Sequence, residues 1–328
     1  MQETYSLYNY YFDQYLPGDD HYFWLKVAPW DHETESAPRF SYGRQNVYPE
    51  PYPVRSLEYS LDLINWHSLS PNTAVEFDTV IYLRSPYTSS QYSTQTSDNN
   101  IHKEPINLNV NKPFSAGGNI DLLIFKDDVP LSEANLPADS IGVTNNWSYG
   151  PFACLFYNRK NLVSARCIKF HEGTVMKPYM FFNMFTDCVN LKRCFTLPPG
   201  DFYEGCCHEM FKGCTNLQEI PKINNSYMVS SNTTDGYGNR ANPVSSINFM
   251  FMDCDKIKFN SQKLNDSYNA YTFPTVKPNS YWDNVNWDDN AEVWLINGGY
   301  TEDVTRCTVH PKTATPPLTV YTTAKVRK

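Results

Sequence analysis

Residues 184–191, MFTDCVNL, and residues 210–217, MFKGCTNL, are two copies of one eight-residue motif, which is the most informative pattern in this chain. Two further copies, LFYNRKNL at 155–162 and MFMDCDKI at 250–257, stand before and after them. A short coil of this kind cannot cover its own apolar side, so several copies must stack and share one core. The motif therefore predicts stacked repeats in the second half of the chain.

The distances between the motif phenylalanines give the period of the stack. From Phe156 to Phe185 is 29 residues and from Phe185 to Phe211 is 26, which lie in or near the range of leucine-rich repeats. The step to Phe251 is 40 residues, because it contains an insertion at 224–246 that is rich in Asn, Ser, Thr and Gly. Such a segment has too little apolar surface to pack, so we expect it to loop out of the stack.

A second apolar row follows the first three copies at steps of three residues. Its members are Leu162, Ala165 and Ile168, then Leu191, Cys194 and Leu197, then Leu217, Ile220 and Ile223. The motif and this row predict a repeat core that includes Phe156, Phe185, Phe211, Phe251, Cys188, Cys214, Cys254, Leu191 and Leu217. In the fourth copy the second row is broken after Ile257, which indicates the edge of the stack.

A Met-Phe pair, two residues, a Cys and then an Asn-Leu-like pair resembles the BspA-like leucine-rich repeats of surface proteins from gut bacteria and their phages. The resemblance covers about residues 152–259. Cys206, four residues before Met210, also fits the family pattern, whereas Arg159 replaces the motif cysteine in the first copy. That departure makes the first coil a candidate cap. The resemblance implies a leucine-rich-repeat solenoid in a surface-binding protein.

Apolar and polar residues alternate between 56 and 85, and the same rhythm returns at 106–110 and 120–124. Alternation with a period of two is typical of antiparallel strands with one buried face. The first stretch also resembles the small β-domain that precedes the repeats in BspA-like proteins, with Trp66 in the turn and Arg84 at the end of the second strand. We expect strands in these three stretches and a polar, exposed loop at 87–100.

The sequence thus predicts a mainly β protein with repeats, in which an N-terminal antiparallel β-domain precedes a short leucine-rich-repeat solenoid and a small C-terminal β-module. The predicted parts are an aromatic-rich attachment segment at 1–55, a β-sandwich-like domain at 56–140, BspA-like leucine-rich repeats at 141–259, and a C-terminal cap or β-module at 260–328. The tyrosine-dense first part has no clean periodicity, so short strands and an irregular arm both remain possible.

The composition argues against several classes of function. The formal net charge is −8, with no large block of Lys and Arg, so we expect no nucleic-acid partner. No run approaches 18 apolar residues, so no membrane insertion is expected. The first twenty residues lack a basic start followed by an apolar run, so no secretory signal is predicted. The 24 Tyr, 19 Phe and 7 Trp suit strands and contact surfaces.

All nine cysteines fall between Cys154 and Cys307, and their odd number at repeat positions favours reduced, buried thiols. The run CCHE at 206–209 places a thiol beside an imidazole, but Cys206 occupies a recurring structural slot. The cysteines lack the CxxC spacing of a zinc site, and the acidic stretch 283–290 lacks the glycine and closing glutamate of an EF-hand calcium loop. We therefore predict no catalytic residue, no metal and no cofactor.

The candidate binding residues are aromatic. Trp282, Trp287 and Trp294, together with Tyr237 in the insertion, would form a platform for a sugar ring or anchor an interface. The alternative is that the three tryptophans belong to the core of a small domain, since their spacing of five and seven residues implies no single face.

These observations favour a non-enzymatic structural and binding protein over an enzyme. Taken from Met1, without a secretory signal, the chain fits a virion fibre or appendage component of a gut phage, located in the virion. Its partners would be other virion proteins and a host-surface glycan or protein, and it would form a symmetric homo-oligomer. The alternative is a secreted adhesin with leucine-rich repeats, located outside the cell or on the bacterial cell surface.

Overall fold

The computed structural model describes residues 11–44, 56–94, 106–127, 129–131, 150–177, 179–199, 205–218, 227–228, 250–254 and 275–276. Over these residues the chain is mainly β and forms two larger sheets, which confirms the predicted mainly β class. Helical structure in the described part is confined to Asp19–His21, Ser89–Thr94, Ile120–Leu123 and a turn that ends at Phe12.

The described strands, in chain order, are β1 (Phe23–Val27), β2 (Arg39–Arg44), β3 (Leu57–Ser60), β4 (His67–Leu69), β5 (Val75–Glu76), β6 (Val80–Arg84), β7 (Ile106–Val110), β8 (Phe114–Asn119), β9 (Leu162–Lys169), β10 (Tyr227–Met228) and β11 (Thr275–Val276). The larger sheet has six strands in the order β4-β3-β6-β1-β8-β9. Its neighbouring strands are antiparallel except β8 and β9, which are parallel. The second sheet has the antiparallel order β5-β2-β7. β10 and β11 form a separate parallel pair.

The two larger sheets pack against one another around a shared core. β1 and β7 contribute alternate residues to it, because successive side chains of a strand point to opposite faces. These residues are Phe23, Leu25, Val27, Ile106, Leu108 and Val110. Tyr42 of β2 links the sheets, since its hydroxyl donates a 2.8 Å hydrogen bond to the carbonyl of Leu69 in β4. Burial raises the pKa of Tyr42 to about 12.

β1 and β2 both lie in the stretch 1–55 that the sequence predicted as a separate attachment segment. β1 is an interior strand of the larger sheet and pairs with β6 on one side and β8 on the other. β2 is the middle strand of the smaller sheet. Residues 23–44 therefore share both sheets with the strands of 56–140, and the predicted division at residue 55 separates hydrogen-bonded neighbours.

The alternation of apolar and polar residues in the sequence did not predict strand β8. The rhythm at 120–124 predicted a strand, and this prediction is wrong, because Ile120–Leu123 is a 3-10 helix with all four residues buried. The strand is instead FSAGGN at 114–119, which lies between β1 and β9 and is buried along its whole length. A Cβ added at Gly117 would stand 2.2 Å from the ring of Trp24, so the close approach requires glycine.

Both sheets continue into the first motif copy. In the larger sheet, β9 begins at Leu162, the last residue of the motif, and lies parallel to β8. On the other side, the backbone N–H of Leu108 in β7 donates to the carbonyl of Leu155 at 2.8 Å. The side-chain amide of Asn107 donates to the carbonyls of Cys154 and Tyr157 at 2.8 and 3.1 Å. The sheets thus supply partners for the backbone of the first copy, which has no preceding copy to bond to.

The stretch 87–100, predicted as an exposed loop, contains the short helix Ser89–Thr94 in its described part. The backbone N–H of Ser89 donates to the carboxylate of Asp127 at 2.9 Å, and this acceptor satisfies one of the N–H groups that a helix leaves free at its start. Within the described ranges, no helix combines the length and the apolar composition that crossing a membrane would need.

Candidate binding surfaces

The four motif copies lie side by side, and their phenylalanine rings stack. The ring centroids of Phe156 and Phe185 are 5.6 Å apart, and those of Phe185 and Phe211 are 5.4 Å apart. Phe251 continues the column 5.4 Å from Phe211. Interplanar angles of 2°, 12° and 4° make successive rings nearly parallel. The column combines apolar burial with the smaller stabilisation of ring contact.

Hydrogen bonds join each copy to the next in one direction. Backbone N–H groups of Phe156, Phe185 and Phe211 donate at 2.9 Å to the carbonyls of Met184, Met210 and Met250. The motif thiols donate in the opposite direction, from each copy to the preceding one. The Sγ–H groups of Cys188, Cys214 and Cys254 donate to the carbonyls of Phe156, Phe185 and Phe211 at 2.9, 3.0 and 3.0 Å. A thiol is a weak donor, so each bond contributes little, but the repetition fixes the cysteine against the preceding copy.

A left-handed residue precedes the motif cysteine slot in every copy. These residues are Asn158, Asp187, Gly213 and Asp253, with φ of 55°, 61°, 73° and 58°. Gly, Asn and Asp enter this conformation more readily than other residues. The residue types in this slot are therefore a sequence signal for the turn, one that the spacing of Phe and Cys alone does not reveal.

All nine residues predicted for the repeat core are 0% exposed: Phe156, Phe185, Phe211, Phe251, Cys188, Cys214, Cys254, Leu191 and Leu217. In the second apolar row, Leu162, Ala165, Ile168 and Leu197 are also buried, whereas Cys194 is partly exposed as a residue although its thiol is enclosed. Ile220 and Ile223 lie outside the described residues.

The run at 206–209 packs into the stack. Cys206 and Cys207 are 0% exposed, while the ring of His208 stacks on that of Phe182 with centroids 5.2 Å apart. Burial raises the pKa of Cys207 well above its ordinary value, and the neighbouring Cys206 adds to the shift. A thiol that stays protonated at neutral pH is a poor nucleophile, so this environment favours packing over catalysis.

The eight cysteines in the described part are free thiols. Burial raises the pKa of Cys154 and Cys188 to about 12 and raises the pKa of Cys194 and Cys214 well above the ordinary thiol value. Nowhere in the described ranges do three or more His, Cys, Asp or Glu side chains gather as a metal site would require. The ninth cysteine, Cys307, lies outside those ranges.

A strap, defined as residues 11–21, crosses the outer face of the six-stranded sheet. Asp13 in the strap bonds to the segments that follow the first and second motif copies: Oδ1 accepts from the hydroxyl of Ser164 and Oδ2 from the guanidinium of Arg193, both at 2.6 Å. Ser164 and Arg193 are themselves joined by a parallel backbone bridge. Since the side chains of Asp13 and Arg193 are 11% and 29% exposed, this ion pair is better shielded from water than a surface pair.

Lys26 of β1 holds the strap from the sheet side. Its ammonium donates to the carbonyls of Tyr11 and Gln14 at 2.7 and 3.0 Å, and the residue is 3% exposed. The same ammonium lies 4.6 Å from the ring centroid of Tyr11 and 5.3 Å from that of Trp24. Burial lowers the pKa of Lys26, and the two carbonyls and two ring faces compensate for the water that the ammonium loses.

Apolar and ionic contacts complete the strap. Leu16 packs against a small apolar cluster on the outer face that includes Cys167 of β9. Lys169, the last residue of β9, pairs with Asp20 at 2.8 Å and lies over the ring of Tyr15 at 4.9 Å. The strap therefore covers the outer face of β9.

The turn between β3 and β4 carries the most exposed apolar surface in the described part of the chain. We call residues 61–64 the hairpin tip. Leu61, Leu63 and Ile64 are 50%, 37% and 81% exposed, and they are three of the four exposed large apolar residues in the described ranges. The fourth, Tyr15, lies in the strap. A cluster of exposed apolar side chains marks a contact surface more strongly than a single one does.

The predicted binding residues Trp282, Trp287, Trp294 and Tyr237 lie outside the described residues. The insertion 224–246 is described only at Tyr227 and Met228, which form β10. The surfaces that the structure does describe are thus the strap over β9 and the hairpin tip at the opposite edge of the same sheet. Comparison with known proteins finds no matching family model, no matching curated protein and no matching solved structure.

Proposed function

We propose that this chain is a non-enzymatic structural and binding protein built on BspA-like leucine-rich repeats. The proposal is carried by the register of the four motif copies, whose phenylalanines, cysteines and left-handed turns recur at equivalent places. Stacked coils present extended surfaces, and repeat proteins use such surfaces for binding. An enzyme is the less favoured class, because the raised pKa of the buried thiols keeps them protonated at neutral pH.

The proposed setting is the virion of a gut phage, in a fibre or appendage that contacts the host surface. The resemblance of the repeats to surface proteins of gut bacteria and their phages supports it, as does the aromatic composition. The proposed partners are other virion proteins and a host-surface glycan or protein, with the chain as a symmetric homo-oligomer. A secreted bacterial cell-surface adhesin is the alternative, since the same resemblance extends to bacterial surface proteins.

The strap limits where a host ligand would bind. Because residues 11–21 cover the outer face of β9, the strand side of the first coil is not free for a partner. We therefore propose the ligand contact on the later coils, on the insertion 224–246, or on the segment that carries Trp282, Trp287 and Trp294.

The attachment role proposed for 1–55 has to be tested without truncation. Deleting residues 1–52 would remove β1 and β2, which are interior strands of the two sheets, so loss of the protein from particles would report unfolding. Attachment is better examined by changing exposed side chains that the fold does not need.

The deciding measurement is mass spectrometry of purified phage particles from the same source. Peptides of this chain at a fixed ratio to the known structural proteins would support a virion component. Recovery from bacterial envelopes, with none in the particles, would overturn the virion setting in favour of the adhesin.

The ligand contact is tested by replacing the insertion 224–246 with a short Gly-Ser turn. Loop length changes stability little, so we expect the variant to fold and to adsorb less well to host cells. Unchanged adsorption by a folded variant would exclude the insertion as a contact.

A further inference from the structure

One carboxylate holds the hairpin tip in a fixed shape. Oδ1 of Asp62 accepts from the N–H groups of Ile64 and Asn65 at 2.9 and 2.8 Å, and from the hydroxyl of Ser60 at 3.0 Å. Oδ2 accepts from the side-chain amide of Asn65 at 2.7 Å. These bonds, the backbone one from Asn65 first, hold the pKa of Asp62 well below its ordinary value. The carboxylate of Asp62, the single polar side chain of the hairpin tip, thus makes its hydrogen bonds within the turn.

The tip also carries two features that do not help the isolated chain to fold. Leu63 has a φ of 64°, in the left-handed region that disfavours bulky side chains and usually holds Gly or Asn. Ile64 is 81% exposed, which leaves most of an aliphatic side chain in water. Backbone strain at an exposed apolar turn indicates that the shape of the turn serves a contact.

The tip is braced at its base and lies far from the repeats in the sheet. The guanidinium of Arg84 lies 3.9 Å from the ring centroid of Trp66 and pairs with Glu58 at 2.8 Å. β4 is one edge of the six-stranded sheet and β9 the other, so five strand spacings, roughly 24 Å, separate them. A partner at the tip would leave the stacked motif copies uncovered.

The chemistry of the tip selects one class of partner. Because three of its four side chains are aliphatic and the carboxylate of Asp62 is bonded within the turn, the hairpin tip offers few side-chain hydrogen bonds to a glycan. Insertion into a bilayer would bring the ionised Asp62 to the lipid surface, where desolvation and anionic headgroups both oppose it. An apolar protein recess with basic residues at its rim would bury Leu61, Leu63 and Ile64 and compensate the charge of Asp62.

We propose that the hairpin tip docks into an apolar, basic-rimmed recess on a neighbouring virion protein and so anchors this chain to the particle. This inference rests on the proposed virion function. It assigns attachment to the edge of the sheet opposite β9, rather than to an N-terminal segment.

The test uses particles assembled without this chain, to which purified full-length protein is added. The variants are Ile64→Asn, which keeps the backbone N–H that Asp62 needs, and Leu63→Gly, which removes the side chain and relieves the positive φ. The matched control is Tyr15→Asn, a truncation of the remaining exposed large apolar side chain in the described ranges, 52% exposed. Thermal unfolding verifies that all three fold.

We expect each tip variant to bind the particles about ten- to hundredfold more weakly than the wild type, because burial of one aliphatic side chain is lost, and the control to bind normally. Equal binding by wild type and tip variants would overturn the inference and leave the virion function standing. If the wild-type protein itself does not bind to the particles, both the docking inference and the proposed virion function are contradicted. Co-sedimentation with phosphatidylcholine–phosphatidylserine vesicles that is lost in Ile64→Asn would overturn the protein recess in favour of a bilayer.

A second measurement covers particles that do not assemble without the chain. Ile64 is replaced by p-benzoylphenylalanine in intact particles, which are then irradiated. One cross-linked virion protein at high yield, with none from the same substitution at Tyr15, is the expected result. The absence of any cross-link from position 64 would overturn the inference.

Discussion

The carboxylate of Asp13 and the guanidinium of Arg193 form a 2.6 Å ion pair although 180 residues separate them in the chain. The other oxygen of the same carboxylate accepts from Ser164, so one side chain ties the strap to the segments that follow the first two motif copies. No local pattern in the sequence indicates such a contact, because neither partner differs in type from an ordinary surface residue. Because of this contact, the strap, β9 and the segment around Arg193 form one structural unit.

The first prediction concerns this ion pair. Asp13→Asn should lower the free energy of unfolding by about 2 kcal/mol, because it removes a charged hydrogen-bond acceptor from the half-buried guanidinium of Arg193. Urea unfolding measures the change. Asp20→Asn is the matched control, since Asp20 is 69% exposed and its pair with Lys169 should contribute less than about 0.5 kcal/mol. Equal effects of the two substitutions would show that the strap is not anchored at Asp13.

The second prediction concerns the end of the stack that meets the sheets. Asn107→Ala should cost about 2 kcal/mol, because the buried carbonyl of Cys154 and the partly buried carbonyl of Tyr157 lose their side-chain donor. Hydrogen exchange should speed up at the amides of the first motif copy in particular. Asn109→Ala, two residues along on the same side of β7 and half-buried, should change the stability by less than about 0.5 kcal/mol. Unaltered exchange in Asn107→Ala would contradict a capping role for β7.

The sequence predicted those strands whose two faces meet different environments. At β7 the residues Ile106, Leu108 and Val110 are buried, and their alternation is visible because the other face is less apolar. At β3 the same rhythm predicted Leu57, Tyr59 and Leu61 on one strand. The strand ends at Ser60, and Leu61 turns out into the hairpin tip because Asp62 nucleates a tight turn there.

The sequence did not predict a strand that is buried on both faces, nor a contact between residues that lie far apart in the chain. β8 is buried on both faces and has small residues where Trp24 approaches, so it shows no alternation. The strap depends on a contact between residues 180 positions apart in the chain. Of the candidate site, the repeat-core residues are accounted for by packing, whereas Trp282, Trp287, Trp294 and Tyr237 stay predictions.

The third prediction compares two substitutions on β8 that should have opposite signs. Gly117→Ala should destabilise the protein by about 3 kcal/mol, because the new methyl group would stand 2.2 Å from the ring of Trp24 and 2.7 Å from Cβ of Cys167. Ser115→Ala should stabilise it by about 1 kcal/mol, because the buried hydroxyl of Ser115 has no hydrogen-bond partner among the described residues. Thermal unfolding of both variants checks the signs, and a loss of stability in Ser115→Ala would indicate a water partner.

The last prediction concerns pH and follows from the buried thiols. Burial raises the pKa of Cys154 and Cys188 to about 12, whereas in the unfolded chain a thiol titrates near its ordinary value of 9.0. Between these values the unfolded chain binds fewer protons than the folded one, so stability is complete below pH 9 and falls as the pH rises. Each thiol should contribute a loss of about 1.4 kcal/mol per pH unit in that window. Lys26, whose pKa is lowered, acts in the opposite direction just below 10.5, but it is one group against at least five thiols.

Urea midpoints measured in reducing buffer from pH 7 to pH 10 test this dependence, since the reductant separates ionisation from oxidation. The wild type should hold its midpoint to about pH 9 and then lose it steeply. Cys188→Ala should start from a lower midpoint, because the space of the sulfur is left empty, yet decline less steeply, because one of the titrating groups is gone. A midpoint that stays flat to pH 10 would mean that the thiols are accessible to water in the folded protein, which would contradict the packing of the motif cysteines against the carbonyls of the preceding copy.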